Sequence, residues 1–171
     1  MLTEKDQNTD EHWMQEALLE AAKAEALSEI PVGAIVVLDG EIVGRGYNCP
    51  ISSVDPTAHA EIQALRDAAS RVGNYRLPGA TLYVTLEPCS MCAGAIVHSR
   101  VERVVFAAIE PKSGVVESQG RFFDAPFLNH KVQCCGGVLQ EAASQQISQF
   151  FQYRREQKKR LKRLSSPSRE E

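Results

Sequence analysis

The sequence contains no apolar run long enough to cross a membrane. Its longest one, VGAIVVL at Val32–Leu38, has the length of a β-strand, whereas a transmembrane helix needs about 20 residues. The first positions, MLTEKDQNTDEHW, carry acidic residues and lack the apolar core of an export signal. We therefore expect no export signal and no membrane partner.

A disulfide framework is also missing from the sequence. The chain has five cysteines, an odd number, and their spacing is irregular. Stable disulfides are a feature of oxidising compartments, whereas cytosolic thiols are kept reduced. We therefore expect a cytoplasmic protein with free cysteines.

The third absence is a net positive charge. Lys and Arg number 19 against 22 Asp and Glu, so the net charge is −3, and the sequence pI is about 5.9. The charge is unevenly distributed, because acidic residues crowd the N-terminal helix and RREQKKRLKR at Arg154–Arg163 is strongly basic. A local basic segment can bind phosphates whatever the net charge. A solvated helix face is the alternative for this segment.

The composition favours one compact domain. With 171 residues, of which 43% are hydrophobic, the chain can bury a substantial core. We see no internal repeat and predict a single domain over residues 1–164, followed by a disordered tail at residues 165–171. Predicted strands alternate with predicted helices, which indicates an α/β fold with helices on both faces of the sheet.

Hydrophobic spacing and turn residues predict the individual elements. A first helix is expected at about Glu11–Leu27, and Asp39-Gly40 is a strong hairpin signal. The hairpin makes at least one strand pair antiparallel, so the sheet is predicted to be mixed. A second helix is expected to have Thr57 as its N-cap and to end at Gly73-Asn74.

The segment EPCSMCAGA places two cysteines at the start of a predicted helix. Cys89 and Cys92 are three positions apart, directly after Pro88, so both side chains can face one point. A helix N-terminus lowers the pKa of a thiol and stabilises the thiolate that binds a metal. The pair alone is compatible with a redox site, a structural zinc site or a catalytic metal site.

The segment HAE decides between these readings. His59 can supply a third ligand, and Glu61 can reach an open coordination position. Three protein ligands and a water are typical of catalytic zinc, whereas structural zinc has four protein ligands. The remaining cysteines and His98 are better explained as structural residues, so we predict an open site.

An open zinc site with a neighbouring carboxylate has a definite chemistry. Zinc lowers the pKa of a bound water, and a carboxylate can move that water's proton to a leaving group. The set formed by His59, Cys89, Cys92 and Glu61 therefore suits the hydrolytic removal of ammonia from an aminated ring.

These residues spell H-x-E and P-C-x-x-C, the signature of zinc nucleoside and nucleobase deaminases. Over Glu29–Arg155 the sequence resembles more narrowly the bacterial tRNA-specific adenosine deaminases of the cytidine and deoxycytidylate deaminase superfamily. The segments that carry the resemblance are PVGAIVV, GYN, DPTAHAEIQALR, NYRL, ATLYVTLEPCSMCAGAIVHSR, RVVF and FFQYRR.

The resemblance implies a fold, an activity and partners. Members of this family convert adenosine to inosine at the wobble position of tRNA anticodons. They are homodimers with a mixed five-stranded sheet in a three-layer α/β/α arrangement and one zinc ion per subunit. The implied partner is therefore the anticodon stem-loop of a tRNA.

The resemblance also implies roles for individual residues. The implied zinc ligands are His59, Cys89 and Cys92, and the implied proton shuttle is Glu61. The residues that would contact the target base are Asn48 and Ala60. The residues that would contact the surrounding RNA are Glu110, Lys112, Ser113, Phe151, Arg154 and Arg155. Relatives often have aspartate in place of Glu110, so the carboxylate here is one methylene longer.

Two other functions are open at this point. A deaminase of free cytosine, cytidine or guanine would use the same zinc chemistry, so the signature cannot separate it from an RNA deaminase. A zinc-stabilised RNA-binding module without activity is the other alternative. Glu61 argues against the latter, because a purely structural site has no use for a carboxylate at an open position.

Overall fold

A computed structural model describes residues 4–165 of the chain. In chain order its elements are α1 (Glu4–Ala26), β1 (Gly33–Leu38), β2 (Glu41–Tyr47), α2 (Pro50–Ser53), α3 (Ala60–Val72), β3 (Thr81–Leu86), α4 (Ser90–His98), β4 (Arg103–Ala108), a 3-10 turn (Phe122–Asp124), β5 (Gln133–Gly136) and α5 (Gln140–Ser165). Ser165, predicted as the first residue of the tail, is the last residue of α5. The rest of the predicted tail lies outside the described residues.

The strands form one mixed sheet in the order β2-β1-β3-β4-β5. β1 is antiparallel to both β2 and β3, whereas β3, β4 and β5 run parallel to one another. Asp39 and Gly40 connect β1 to β2 with positive φ angles of 52° and 75°, as a tight hairpin turn requires. The predicted five-stranded mixed sheet is confirmed.

Helices cover both faces of the sheet. Because successive side chains of a strand point to opposite faces, Leu82 and Val84 pack in the core beneath α3 and α4. Tyr83 and Val105 pack with α1 and α5 in a second core on the other face. The result is the predicted three-layer α/β/α arrangement.

The first helix is longer than its apolar pattern predicts. It starts at Glu4, and Asp10 in its second turn is buried. The Asp10 carboxylate accepts two hydrogen bonds from the Arg103 guanidinium, at 2.8 and 2.7 Å, and one from the Tyr83 hydroxyl at 2.8 Å. These partners are distant in sequence, so periodicity along the helix could not reveal them.

The predicted N-cap of the second long helix is wrong. Thr57 does not cap α3, because its hydroxyl and its backbone N–H both donate to the Asp55 carboxylate, at 2.7 and 2.8 Å. The N-cap is His59, and α3 begins at Ala60. The helix ends at Gly73, as predicted, and this residue has the left-handed conformation.

No helix within residues 4–165 is both long and apolar enough to cross a membrane.

Candidate metal centre

Two helix N-termini meet at the predicted metal centre. His59 is the N-cap of α3 and Cys89 is the N-cap of α4, and both have extended backbones. Cys92 lies one turn further along α4 and is fully buried. Nδ1 of His59 lies 3.6 Å from Sγ of Cys89 and 3.5 Å from Sγ of Cys92. The fold therefore brings together side chains that are about 30 positions apart in the sequence.

The geometry of these three side chains fits zinc. Their ligand atoms all lie within 4.8 Å of one another. Tetrahedral zinc, with Zn–N near 2.0 Å and Zn–S near 2.3 Å, requires an N···S separation of about 3.6 Å. In the described part of the chain no other group of His, Cys, Asp or Glu has metal-ligand spacing. A fourth ligand from Cys49, Cys134, Cys135 or His98 is therefore not indicated.

The electrostatics of the two thiols also suit a metal site. A hydrogen bond to Cys92, followed by one to His59, lowers the pKa of Cys89 to about 4. The same contact with Cys89, together with burial, raises the pKa of Cys92. A lowered pKa favours metal binding by Cys89, because the thiolate is the form that ligates a metal.

Glu61 lies beside the three ligands in the first turn of α3. Its side chain is only 4% exposed. Burial, together with the negative charge on Cys89, raises the pKa of Glu61 to about 7, and His59 opposes this shift. A carboxyl group with a pKa near neutral can both accept and donate a proton under physiological conditions.

A cavity of about 180 Å³ opens over the metal centre. It is smaller than the 300–1,000 Å³ typical of drug-sized ligand sites, roughly as expected for one base-sized group. Its lining residues are Ile30, Val32, Asn48, His59, Glu61, Leu86, Glu87, Cys89, Glu110 and Ser113. Of the residues predicted to contact substrate, the fold therefore places Asn48, Glu110 and Ser113 around the same cavity as the metal centre.

The remaining predicted contact residues are not among those that line this cavity. Ala60 is buried as the first residue of α3. Lys112 is exposed, and its backbone N–H donates to the Glu110 carboxylate at 3.0 Å. Phe151, Arg154 and Arg155 are exposed on α5, whose first turns pack on the opposite face of the sheet from α3.

A larger cavity, of about 420 Å³, lies between α3 and α4. Its lining is mainly apolar and includes Ile62, Leu65 and Met91, but none of the three metal-centre ligands. The smaller cavity contains His59, Cys89 and Glu61, so it is the candidate site for the chemistry.

Four lining residues of the smaller cavity were not predicted, and Glu87 is the charged one among them. Glu87 is 3% exposed, and its carboxylate accepts hydrogen bonds from the backbone N–H groups of Glu110, Glu117 and Ser118. Burial by itself would raise its pKa, but the hydrogen bonds from Ser118, Glu110 and Glu117 hold the pKa of Glu87 below its usual value. The only signal in the sequence is a carboxylate directly before Pro-Cys.

Comparisons with known proteins agree with this site. The family model of the cytidine and deoxycytidylate deaminase zinc-binding region matches residues 7–108. A tRNA-specific adenosine deaminase of Haemophilus influenzae is 56% identical over 156 residues, which cover 91% of this chain and 90% of the relative. The tRNA-specific adenosine deaminase of Bacillus subtilis strain 168 is 45% identical over 88% of this chain and 93% of the relative.

Solved structures of deaminases have a similar fold. A structure from studies of A-to-I editing by tRNA:A34 deaminases at the wobble position has a TM-score of 0.77 and 44% identity, covering 79% of this chain and 98% of that chain. A structure of guanine deaminase from Nitrosomonas europaea has a TM-score of 0.68 at 26% identity, covering 82% and 83%. The chain therefore belongs to the cytidine and deoxycytidylate deaminase zinc-binding family, and within it to the tRNA-specific adenosine deaminases.

Proposed function

We propose that the chain is a zinc-dependent hydrolase that converts adenosine to inosine at the wobble position of tRNA anticodons. The observation that carries this proposal is the buried Glu61 beside three metal ligands, with a base-sized cavity above them. The extensive identity with relatives named as tRNA-specific adenosine deaminases supports the choice of substrate.

The chain's own residues divide the reaction between them. A zinc ion bound by His59, Cys89 and Cys92 would lower the pKa of a water at its open position and make it nucleophilic. Glu61 would accept the proton of that water as it attacks C6 of adenine. Glu61 would pass this proton to the ring nitrogen N1, where it stays in inosine. It would then take the second proton from the hydroxyl group added at C6 and give it to the amine, which leaves as ammonia.

The cavity would orient the base and exclude bulk water. Asn48 is 8% exposed and lines the wall, so its side-chain amide would hydrogen-bond the edge of the base. Val32 and Leu86 supply apolar surface against which the ring packs. A wobble base is already unpaired, so its extrusion into the cavity costs little, at most about a few kcal/mol.

We propose that the surrounding RNA is held by two separate parts of the chain. Glu110, Lys112 and Ser113 follow β4 at the rim of the cavity, where nucleotides next to the target would lie. On α5, the exposed Phe151 would stack on an unpaired base, and Arg154 and Arg155 would contact phosphates. We further propose a cytoplasmic homodimer with one zinc ion per subunit.

A side-by-side deamination assay tests the proposal. The substrates are an anticodon stem-loop with adenosine at the wobble position, the same stem-loop with the adenosine moved into the stem, and free adenosine, cytidine, cytosine and guanine. Inosine in the first stem-loop alone is the expected result. Turnover of a free base or nucleoside instead of the stem-loop would be compatible with the same zinc mechanism but would contradict an RNA substrate.

Metal analysis of the same preparation is the second test. We expect one zinc per chain in active protein. Full activity with substantially less than one equivalent would contradict the mechanism, whatever the substrate.

A further inference from the structure

The buried carboxylate of Glu87 holds both ends of one loop, residues 110–118. Its Oε2 atom accepts a hydrogen bond from the backbone N–H of Glu110 at 2.9 Å. Its Oε1 atom accepts from the N–H groups of Glu117 and Ser118, each at 2.8 Å. The Ser118 hydroxyl donates to Oε2 as well. Four donors from positions 23 to 31 residues further along the chain thus converge on one side chain.

The middle of the loop is pressed against the same carboxylate. A Cβ on Gly114 would lie 2.4 Å from the carboxyl carbon of Glu87, so only glycine fits there without a shift. The next residue, Val115, donates its N–H to the carbonyl oxygen of Pro88 at 3.1 Å. The loop is therefore fastened to the two residues that directly precede Cys89.

The fastened loop carries part of the cavity rim. Glu110 and Ser113 line the cavity, and Lys112 lies exposed between them. The Glu87 bonds fix the loop at its start and at its end, so the position of this rim over the metal centre depends on them. Without them, the loop backbone between β4 and the 3-10 turn would lose the side-chain acceptors for three of its N–H groups.

We propose that Glu87 is a positioning residue for RNA recognition: it holds loop 110–118 so that Glu110, Lys112 and Ser113 contact the nucleotides that flank the target base. It sets the affinity and the sequence context of the RNA substrate, while the metal ligands and Glu61 carry the chemistry. This inference rests on the proposed function. It assigns to Glu87, which also lines the cavity, a role that acts through the loop.

A carboxylate can accept from all four donors, whereas a carboxamide of the same size cannot. An ionised carboxyl group has two oxygens and about four acceptor sites, whereas a glutamine amide has one oxygen and an NH2 group that is itself a donor. Glu87→Gln therefore replaces one of the two acceptor oxygens by an NH2 group, which cannot accept a hydrogen bond from the loop. The volume of the side chain hardly changes. Ser118→Ala removes one of the four bonds and leaves the carboxylate in place.

The test compares Glu87→Gln, Ser118→Ala and a matched control, Glu117→Gln. The control removes a negative charge from the same loop, but the Glu117 side chain is exposed and holds none of the four bonds. Three properties are measured: zinc content, residue-resolved amide exchange by NMR, and kcat and KM on the wobble stem-loop and on stem-loops with altered flanking nucleotides.

The expected results separate positioning from mere stability. Glu87→Gln should keep its zinc and lose exchange protection at the amides of Glu110, Glu117 and Ser118. Its KM should rise about tenfold or more with kcat changed less than about threefold, which is the signature of lost substrate binding. Its discrimination between flanking nucleotides should also fall. Ser118→Ala should have exchange protection and a KM between those of Glu87→Gln and the wild type. Glu117→Gln should match the wild type in all three properties.

Other results overturn the inference. A fall in kcat or in zinc content at unchanged KM would mean that Glu87 supports the start of α4. Unchanged exchange and unchanged KM would mean that the loop does not need it. Wild-type turnover of the stem-loop is measured first and tests the proposed function by itself, so the failure of one idea is distinguishable from the failure of the other.

Discussion

Gly46 of β2 lies directly against the backbone of Ala60, the first residue of α3: a Cβ on Gly46 would stand 2.3 Å from the Ala60 carbonyl oxygen. Gly44, two residues earlier on the same face, has the same relationship to Ala64, at 2.4 Å. The strand has no side chain at these two positions, so the backbone of the helix lies directly against it. Because His59 caps this helix, the contact also determines where the metal ligand lies.

Replacing Gly46 by alanine should disturb both stability and the metal centre. The added methyl group has no space, and overpacking of this kind costs about 1–3 kcal/mol. We expect a lower urea midpoint and weaker zinc retention against a chelator. Gly94→Ala is the control, because nothing lies within 4 Å of a Cβ at Gly94 in α4 and alanine favours helix. A Gly46→Ala protein with wild-type stability and zinc retention would refute this account.

Replacing Asp10 by alanine should destabilise the fold strongly. Asp10 is 2% exposed and accepts hydrogen bonds from both Arg103 and Tyr83. Breaking a buried pair leaves its partner uncompensated and costs about 3 kcal/mol here, at the lower end of the usual range because Arg103 keeps some contact with water. Urea unfolding measures this.

Asp124→Ala is the control for that variant. Its ion pair with Arg121 is exposed on both sides and screened by solvent, so its loss should change the free energy of unfolding far less than the loss of Asp10 does. Equal losses for the two aspartates would show that the buried network is not what holds α1 on the sheet.

Replacing Glu61 by glutamine should abolish turnover while keeping the metal. The amide has the shape of the carboxyl group but cannot carry the proton, so kcat should fall by at least about 10²- to 10⁴-fold. Zinc content and the urea midpoint should stay close to the wild type. Glu41→Gln, an exposed carboxylate in the hairpin, should leave kcat unchanged. Normal deamination by Glu61→Gln would mean that the mechanism is wrong.

Zinc binding should weaken as the pH falls. In the metal-free chain a hydrogen bond to Cys89, aided by the nearby charges of Glu61 and Cys89, raises the pKa of His59. A raised pKa means that His59 takes up a proton more readily, and zinc binds only the neutral imidazole. Protons therefore compete with zinc below that pKa, by roughly tenfold in affinity per pH unit for each proton displaced.

Competition with a calibrated chelator between pH 8 and pH 5 measures this dependence. Cys134→Ser, which changes a thiol outside the metal centre, should show the wild-type profile. A zinc affinity independent of pH would contradict the assignment of the ligands.

Neutralising Arg154 and Arg155 together should weaken RNA binding in a salt-dependent way. Each phosphate contact releases counterions, so the slope of log KM against log salt should fall by roughly one for each contact removed. Arg71→Ala, at the far end of α3 and paired with Asp67, is the matched control. An unchanged KM and slope in the double variant would identify RREQKKRLKR as a solvated helix end.

Much of the fold and the candidate metal ligands could be predicted from local sequence features. The mixed five-stranded sheet follows from strand and helix periodicity, the Asp39-Gly40 turn and the family resemblance, and the structure confirms it. His59, Cys89 and Cys92 could be named as candidate ligands, because residue type and spacing at a helix start limit which side chains can face one point. Short-range geometry of this kind is contained in a few consecutive residues.

What the sequence by itself determined is thus the set of elements, the fold class and the candidate chemistry of the site. The tertiary structure decided what depends on distant partners: the capping of α3 by His59 in place of Thr57, the burial of Asp10 against Arg103, and the attachment of loop 110–118 to Glu87. An acidic residue looks the same in the sequence whether it is solvated or buried. Only packing decides which hydrogen-bond donors surround it, and those donors lie 23 or more positions away in the cases of Asp10 and Glu87.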